Sequence, residues 1–355
     1  HLFSNKMLKS ILVPVILEQL LNSFMGTADT MMVSNVGSAA ISAVSLVDSI
    51  NVLLIQAFSA LAAGGTIICA QYMGQRNYER ANKSARQVLF IILSISAAVT
   101  ILCLLFKDPL LHFIFGKVDA DVMEASSVYF LFSAASYPFI ALYDSGASIF
   151  RAQENTKGPL IISVISNVMN IVGNAILIWG FNMGVAGAAI ATLVSRIFCA
   201  VVVLWQLRKD RQPIVVRDYL KIRPDRKLIG RILGLGIPSG IENSMFQLGK
   251  LAIQSTVSTL GTTAIAAQAM TNNLEMLNGT AAMGVGIGLM TIVGEFIGAG
   301  REDEAVYYVK KLSCVAEMII IGCCLLVFAL TKPITILGGM IFQKYSLSAY
   351  PRRRS

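Results

Sequence analysis

Charge is what this chain has least of. Asp, Glu, Lys and Arg make up 14% of its 355 residues, against about a quarter in soluble domains, while 55% of the side chains are apolar. With a mean hydropathy of +0.68, the composition excludes an ordinary soluble domain and leaves a multi-pass membrane protein. Cysteine is sparse too: Cys69, Cys103, Cys199, Cys314, Cys323 and Cys324 all fall in apolar runs, without the spacing of a zinc site or a disulfide framework. No Gly-x-x-x-x-Gly-Lys-Ser/Thr string occurs, so direct ATP coupling has no support. The glycine string at 284 to 289 sits inside an apolar run and reads as small residues for close helix contact. Tyr143-Asp144 would suit an intramembrane aspartyl protease only beside a Gly-x-Gly-Asp, which is missing, so no enzyme is expected and no metal site is assigned.

What is present are long apolar runs. Nine stretches reach the roughly 20 residues needed to cross a bilayer, near 10 to 33, 40 to 72, 88 to 106, 124 to 149, 159 to 180, 185 to 207, 232 to 257, 263 to 297 and 312 to 331. The first carries Glu18 and Asp29 and lacks a small-x-small cleavage site, which makes it a span and not a signal peptide. The net charge of +9 comes in clusters between the runs, which argues against nucleic acid and for topology. Loops on one side hold 20 Lys and Arg and the alternate loops hold 3, so the N-terminus is expected inside, in the plasma membrane.

Shifted against itself by 224 positions, the chain places Pro14 on Pro238, Glu18 on Glu242, Gly37 on Gly261, Gly64 on Gly288, Gly74 on Gly298 and Pro109 on Pro333 without a gap. The second half copies the first. A copy holds six spans, an even number, so both halves enter the membrane the same way round, related by an axis along the membrane normal. The expected fold is an all-α membrane protein of two six-helix lobes. Residues 1–207 form the first lobe, 208–231 a basic cytoplasmic linker, 232–339 a three-helix part of the second lobe and 340–355 a tail foreign to the fold. The copy breaks off before counterparts of spans four to six, so the second lobe is expected to be C-terminally truncated. A substrate path between two rocking halves is the transporter reading.

The strings PVILEQLLNSFMGTADTMMVSNVGSAAISAVS at residues 14–45, RAQENTKGPLIISVISNVMNIVGN, GVAGAAIATLVSR and GLGIPSGIEN resemble, in order, the multidrug and toxic compound extrusion (MATE) family of cation-coupled antiporters. The resemblance covers about residues 8 to 337. It implies a coupling-ion site in which Asp29 joins Asn170, Asn174 and Thr192. The family often carries Asn and then Asp on span 5; here the second position is Asn174. Family members also have twelve spans, against nine here.

Acids within spans are costly, about 3 kcal/mol or more at a helix centre, and face the protein interior or a water cavity. They include Glu18, Asp29, Asp48, Asp144, Glu242, Glu275 and Glu295, against Arg196 and Lys250 as bases. Such an acidic cavity suits a cationic small molecule. Asp29 is the sharpest candidate, with a helix-packing acid as the alternative. Asn167, Asn170 and Asn174 share a helix face, as an ion site or as polar glue between helices. Glu18 and Glu242 follow a proline by four residues, and with Glu275, Gln268 and Asn272 they are candidate lining of the substrate cavity. Asp48 and Glu295 are expected to be solvated or linker-facing near span ends.

The expected function is a secondary antiporter that exports organic cations or drugs in exchange for protons or sodium, working as a monomer in the lipid bilayer without a cofactor. The alternatives are a related lipid-linked precursor flippase, whose anionic cargo would want a basic cavity, and an inactive truncated paralogue.

Overall fold

The computed structural model describes residues 4–115, 118, 120–217, 219–258, 262–330 and 333, so the 340–355 tail lies outside the described residues. Ten α-helices follow in order: α1 Asn5–Ser34, α2 Ser38–Gly74, α3 Tyr78–Leu105, α4 Lys107–Phe115, α5 Ala120–Ala152, α6 Lys157–Asn174, α7 Val185–Leu207, α8 Arg226–Ser258, α9 Thr262–Gly298 and α10 Glu302–Ala329. A π-helical turn, Ala175–Gly180, prolongs α6. The short α4 aside, these are the nine expected spans. Eight of them are apolar and long enough to cross a membrane among the described residues. The exception to the expected nine is α8, where Pro238, Glu242, Asn243, Gln247 and Lys250 dilute the apolar residues.

The helix ends follow from local chemistry. Ser4 and Asn77 accept the backbone N–H of Met7 and Arg80 through their side chains, capping α1 and α3. After α9 the chain reverses through Gly300 at φ 75°, a left-handed conformation that costs glycine nothing. Pro14 has no N–H for the carbonyl one turn earlier, at Ser10. Buried Thr156 supplies the missing donor, its hydroxyl lying 3.4 Å from the Ser10 carbonyl and 2.8 Å from that of Ile11.

One core joins α2, α3, α5 and α7 around Phe58, Tyr137, Ile149 and Val203, with Ile214 and Val216 of the linker inserted into it. A second packs Leu8 and Ile11 of α1 against Ile292 and Phe296 of α9 and Tyr308 of α10. The two halves meet through glycines, and the 224-residue offset recurs in their contacts. A Cβ placed on Gly74 would lie 2.1 Å from the Glu295 carbonyl oxygen, and one on Gly298 would lie 2.0 Å from that of Gln71. Gln71 and Glu295 are themselves a repeat pair, so α2 and α9 cross as equivalents. Likewise Gly64 abuts Gly236 of α8, while Gly288 abuts Leu12, the repeat partner of that glycine, on α1. Gly284 backs onto Ile16, its Cβ position 2.9 Å from the Ile16 Cα, which gives the glycine string its packing role.

These approaches run from the helix ends beside the basic loops up to the Ser23–Thr280 hydroxyl pair, 3.2 Å apart, about mid-helix. A leucine at Gly298 has to push α2 and α9 apart by about 1 Å or more, since real Cβ atoms stay beyond 3.0 Å. The expected result is that a cysteine at Ala70, buried against Gly294, gains thiol labelling from the basic side in Gly298→Leu. Unchanged protection would show that this crossing does not hold the two halves together.

Candidate functional site

Helices α1 and α6 both start on the basic side and run parallel, and a polar seam joins them. Three of its rungs keep a constant separation of 145 residues: Glu18 with Ser163, Asn22 with Asn167, and Asp29 with Asn174. Eleven residues from Glu18 to Asp29 span about 16 Å along the helix. Polar side chains in apolar helices pair with one another because lipid offers no alternative partner.

At the far end, Asn174 Nδ2 donates to Asp29 Oδ1 at 2.8 Å and Asn170 Nδ2 to Asp29 Oδ2 at 3.4 Å. Asn174 is buried, at 2% exposure. The other amide atoms are the informative ones: Asn170 Oδ1 and Asn174 Oδ1 are buried and have no hydrogen-bond partner among the described residues. An orphaned buried carbonyl costs about 1–3 kcal/mol, so two beside one carboxylate mark a place where a positive species would be welcome. The structure thus brings together three of the four expected residues. Thr192 departs from the expectation: its hydroxyl donates to the Ala188 carbonyl one turn back, at 3.0 Å, a local bond that hydroxyls in helices commonly form.

Glu18 also departs from the expectation of an open cavity wall. It is 1% exposed, and its carboxylate takes Arg151 Nη2 at 3.0 Å, the Tyr143 hydroxyl at 2.9 Å and the Ser163 hydroxyl at 3.1 Å. Arg151 lies just beyond the 124 to 149 span expected from the sequence, but α5 runs on to Ala152 and carries the guanidinium inward. Asp144 adjoins this group on α5, with Oδ2 buried and unpartnered, as is Arg151 Nε.

Asp48, expected to be solvated or linker-facing, instead belongs to a third polar group between α2, α5 and α7. It accepts from the Tyr129 hydroxyl at 3.2 Å and from Asn51 Nδ2 at 3.3 Å; Asn51 in turn takes the Tyr137 hydroxyl at 2.6 Å, and Arg196 donates to Ser136 at 2.6 Å. Tyr129, Ser133, Ser136 and Tyr137 had not been singled out. Their spacing of four, seven and eight along an apolar helix is the signal that finds them, the same periodicity that groups the asparagines.

In the second half the acids stand apart. Glu242 is exposed, on the face of α8 opposite the one that packs Gly236, Gly240 and Ser244 near Ala57 and Leu61 of α2. Glu275 and Lys250 are both exposed and 4.0 Å apart. The side chains of Gln268 and Asn272 lie outside the described residues.

The profile of the MatE family matches this chain twice, over residues 14–176 and 238–341, and the two matches begin at the repeat-related prolines. The chain belongs to the MatE family. Among its MatE relatives, the uncharacterized transporter YisQ of Bacillus subtilis is 29% identical over 83% of this chain and 65% of its own length. The probable multidrug resistance protein NorM of Thermotoga maritima is 25% identical, over 86% of this chain and 66% of its own length. The chain thus spans about two thirds of the curated relatives it matches. In fold it is similar to an outward-facing multidrug resistance MATE family transporter of the MOP superfamily, with a TM-score of 0.88 at 21% identity, over 94% of this chain and 74% of that one. The MatE chain is an all-helical, multi-pass membrane protein.

Proposed function

We propose that this MatE-family protein is a secondary antiporter that exports organic cations in exchange for inward-moving protons or sodium. In this reading it works as a monomer in the plasma membrane, with the N-terminus and the basic loops cytoplasmic. The observation that carries it is the pair of unpartnered carbonyl oxygens of Asn170 and Asn174 beside the Asp29 carboxylate. Carboxylate and amide oxygens are hard donors of the kind small hard cations accept, and a proton on Asp29 would satisfy one of the same oxygens as a donor. The coupling ion is cargo, so no resident cofactor is required.

The relatives named for multidrug resistance support the substrate class, as does the state of the bases. Arg151 is engaged by Glu18, Arg196 by Ser136, and Lys250 stands near Glu275. A flippase for an anionic headgroup would want such cations free toward its path. The two halves, held at their basic ends and joined by glycine contacts, can exchange openings by pivoting about that crossing.

The test is organic-cation efflux by this protein in a host lacking its own pumps, under an imposed proton or sodium gradient. Calorimetric titration of the 355-residue chain with sodium, and its proton release, give a second readout. Efflux indifferent to both gradients, together with no sodium binding and no proton release, would overturn the proposal. Topology has its own check: cysteines placed at 210 to 225 are expected to resist an impermeant thiol reagent in intact cells, and strong labelling would invert the orientation.

A further inference from the structure

The basic linker does more than follow the charge rule. With the first turns of α3 it encloses a cavity of about 540 Å3 lined by Lys83, Arg86, Arg217, Lys221, Arg223 and Arg226. The lining contains one acid, Asp225, whose carboxylate caps α8 by accepting the Lys227 N–H at 3.1 Å. Arg217 is tied to Asp210. The other five cations form no ion pair among the described residues.

The walls are fixed. Gln87, buried at 4% exposure, donates to the Arg223 carbonyl at 2.7 Å and accepts the Asp225 N–H at 3.0 Å, clamping the linker at two successive points. Asn82 accepts the Val215 N–H at 2.8 Å, and Ile214 and Val216 are wholly buried in the first core. Retaining a loop on one side of a membrane needs positive charge but no such pocket. The depth is also informative. Lys83 and Arg86 precede Val88, where the apolar run of α3 begins, by less than two turns, which is the level of lipid headgroups.

We propose that this cavity binds the phosphate headgroup of an anionic phospholipid such as phosphatidylglycerol. A phosphodiester offers oxygens to the planar forks of Arg86, Arg223 and Arg226 and to the point charges of Lys83 and Lys221, while its acyl chains lie along α3. Basic pockets between membrane helices on the cytoplasmic side suit such headgroups. A lipid held there bridges α3 of the first half to the start of α8 in the second. Assignment to the cytoplasmic leaflet rests on the topology proposed above; the binding itself does not.

The experiment uses the purified 355-residue chain in a neutral detergent, titrated with phosphatidylglycerol or phosphatidylcholine, with bound lipid counted by native mass spectrometry. The chain is expected to retain phosphatidylglycerol in preference to phosphatidylcholine. Arg86→Gln/Lys221→Gln/Arg223→Gln should weaken retention by at least about tenfold, the loss of one charge-assisted hydrogen bond. Lys6→Gln/Lys9→Gln/Lys310→Gln removes equal charge elsewhere on the basic side and should bind as the parent does. Should the first triple melt early by circular dichroism, the pair Lys83→Gln/Arg226→Gln carries the same expectation. Equal retention by pocket and control variants overturns the proposal, as does equal retention of the two lipids. Displacement of the lipid by millimolar inorganic phosphate also overturns it and reassigns the cavity to soluble phosphate compounds.

Discussion

Replacing Asp29 by Asn is expected to abolish ion-driven efflux while leaving membrane insertion intact. The substitution keeps size and much of the hydrogen bonding to Asn170 and Asn174, but removes the exchangeable charge. Insertion of α1 becomes easier, because a charge in a span is costlier than an amide. Cation binding to the 355-residue chain should fall by about 10- to 100-fold, the range for losing a charged partner. In the proposed cycle Asp29 is neutralised alternately by the coupling ion and by the organic cation. Each ligand shifts the inward-open and outward-open states only by its differential affinity for them. Binding the ion from outside therefore releases the drug and resets the halves. If Asp29→Asn transports at the parent rate with the same dependence on the gradient, the acid is structural and coupling has to move to Glu18, Glu242 or Glu275.

Arg151→Met should destabilise the protein by about 3–5 kcal/mol, the cost of leaving one member of a buried ion pair without its partner. Glu18 is 1% exposed, and its remaining partners, Tyr143 and Ser163, are neutral donors. The cost arises mostly from the stranded carboxylate, so Glu18→Gln/Arg151→Met is expected to recover much of the loss. Thermal unfolding of both singles and the double closes a mutant cycle that isolates the coupling. A double variant no more stable than Arg151→Met would mean that the guanidinium acts through packing and not through Glu18. The same cycle separates the group from the Asp29 site, since Arg151→Met should leave sodium or proton binding at Asp29 in place in the fraction that stays folded.

Several features were legible in the sequence because they depend on composition and period. Eight of the nine long helices follow from apolar length, since a backbone in lipid must satisfy its own hydrogen bonds. The duplication was visible in glycines and prolines, the residues whose backbone roles tolerate least substitution. Asn170 and Asn174 were legible as one face from their spacing alone, and Asp29 from the cost of a carboxylate in a span. The family strings supplied the pairing between them.

Other features were decided only by the tertiary structure. Glu18 and Glu242 are equivalents in the repeat, each four residues after a proline, yet one is sealed by Arg151, Tyr143 and Ser163 and the other is exposed. Their environments come from residues more than a hundred positions away, which no local period encodes. Thr192 has a side chain of suitable chemistry, but its rotamer turns to its own helix. Asp48 lies near a span end in the sequence and is half-buried because α5 brings Tyr129 against it. In the sequence the basic linker is only a topological signal; Gln87 and Asn82 fold it into a pocket wall. Spacing along the chain determined which side chains share a face; how helices cross determined which face meets which partner. That second choice rests on the close approach of Gly74 and Gly298 and their kind, a packing of surfaces that a one-dimensional pattern does not contain.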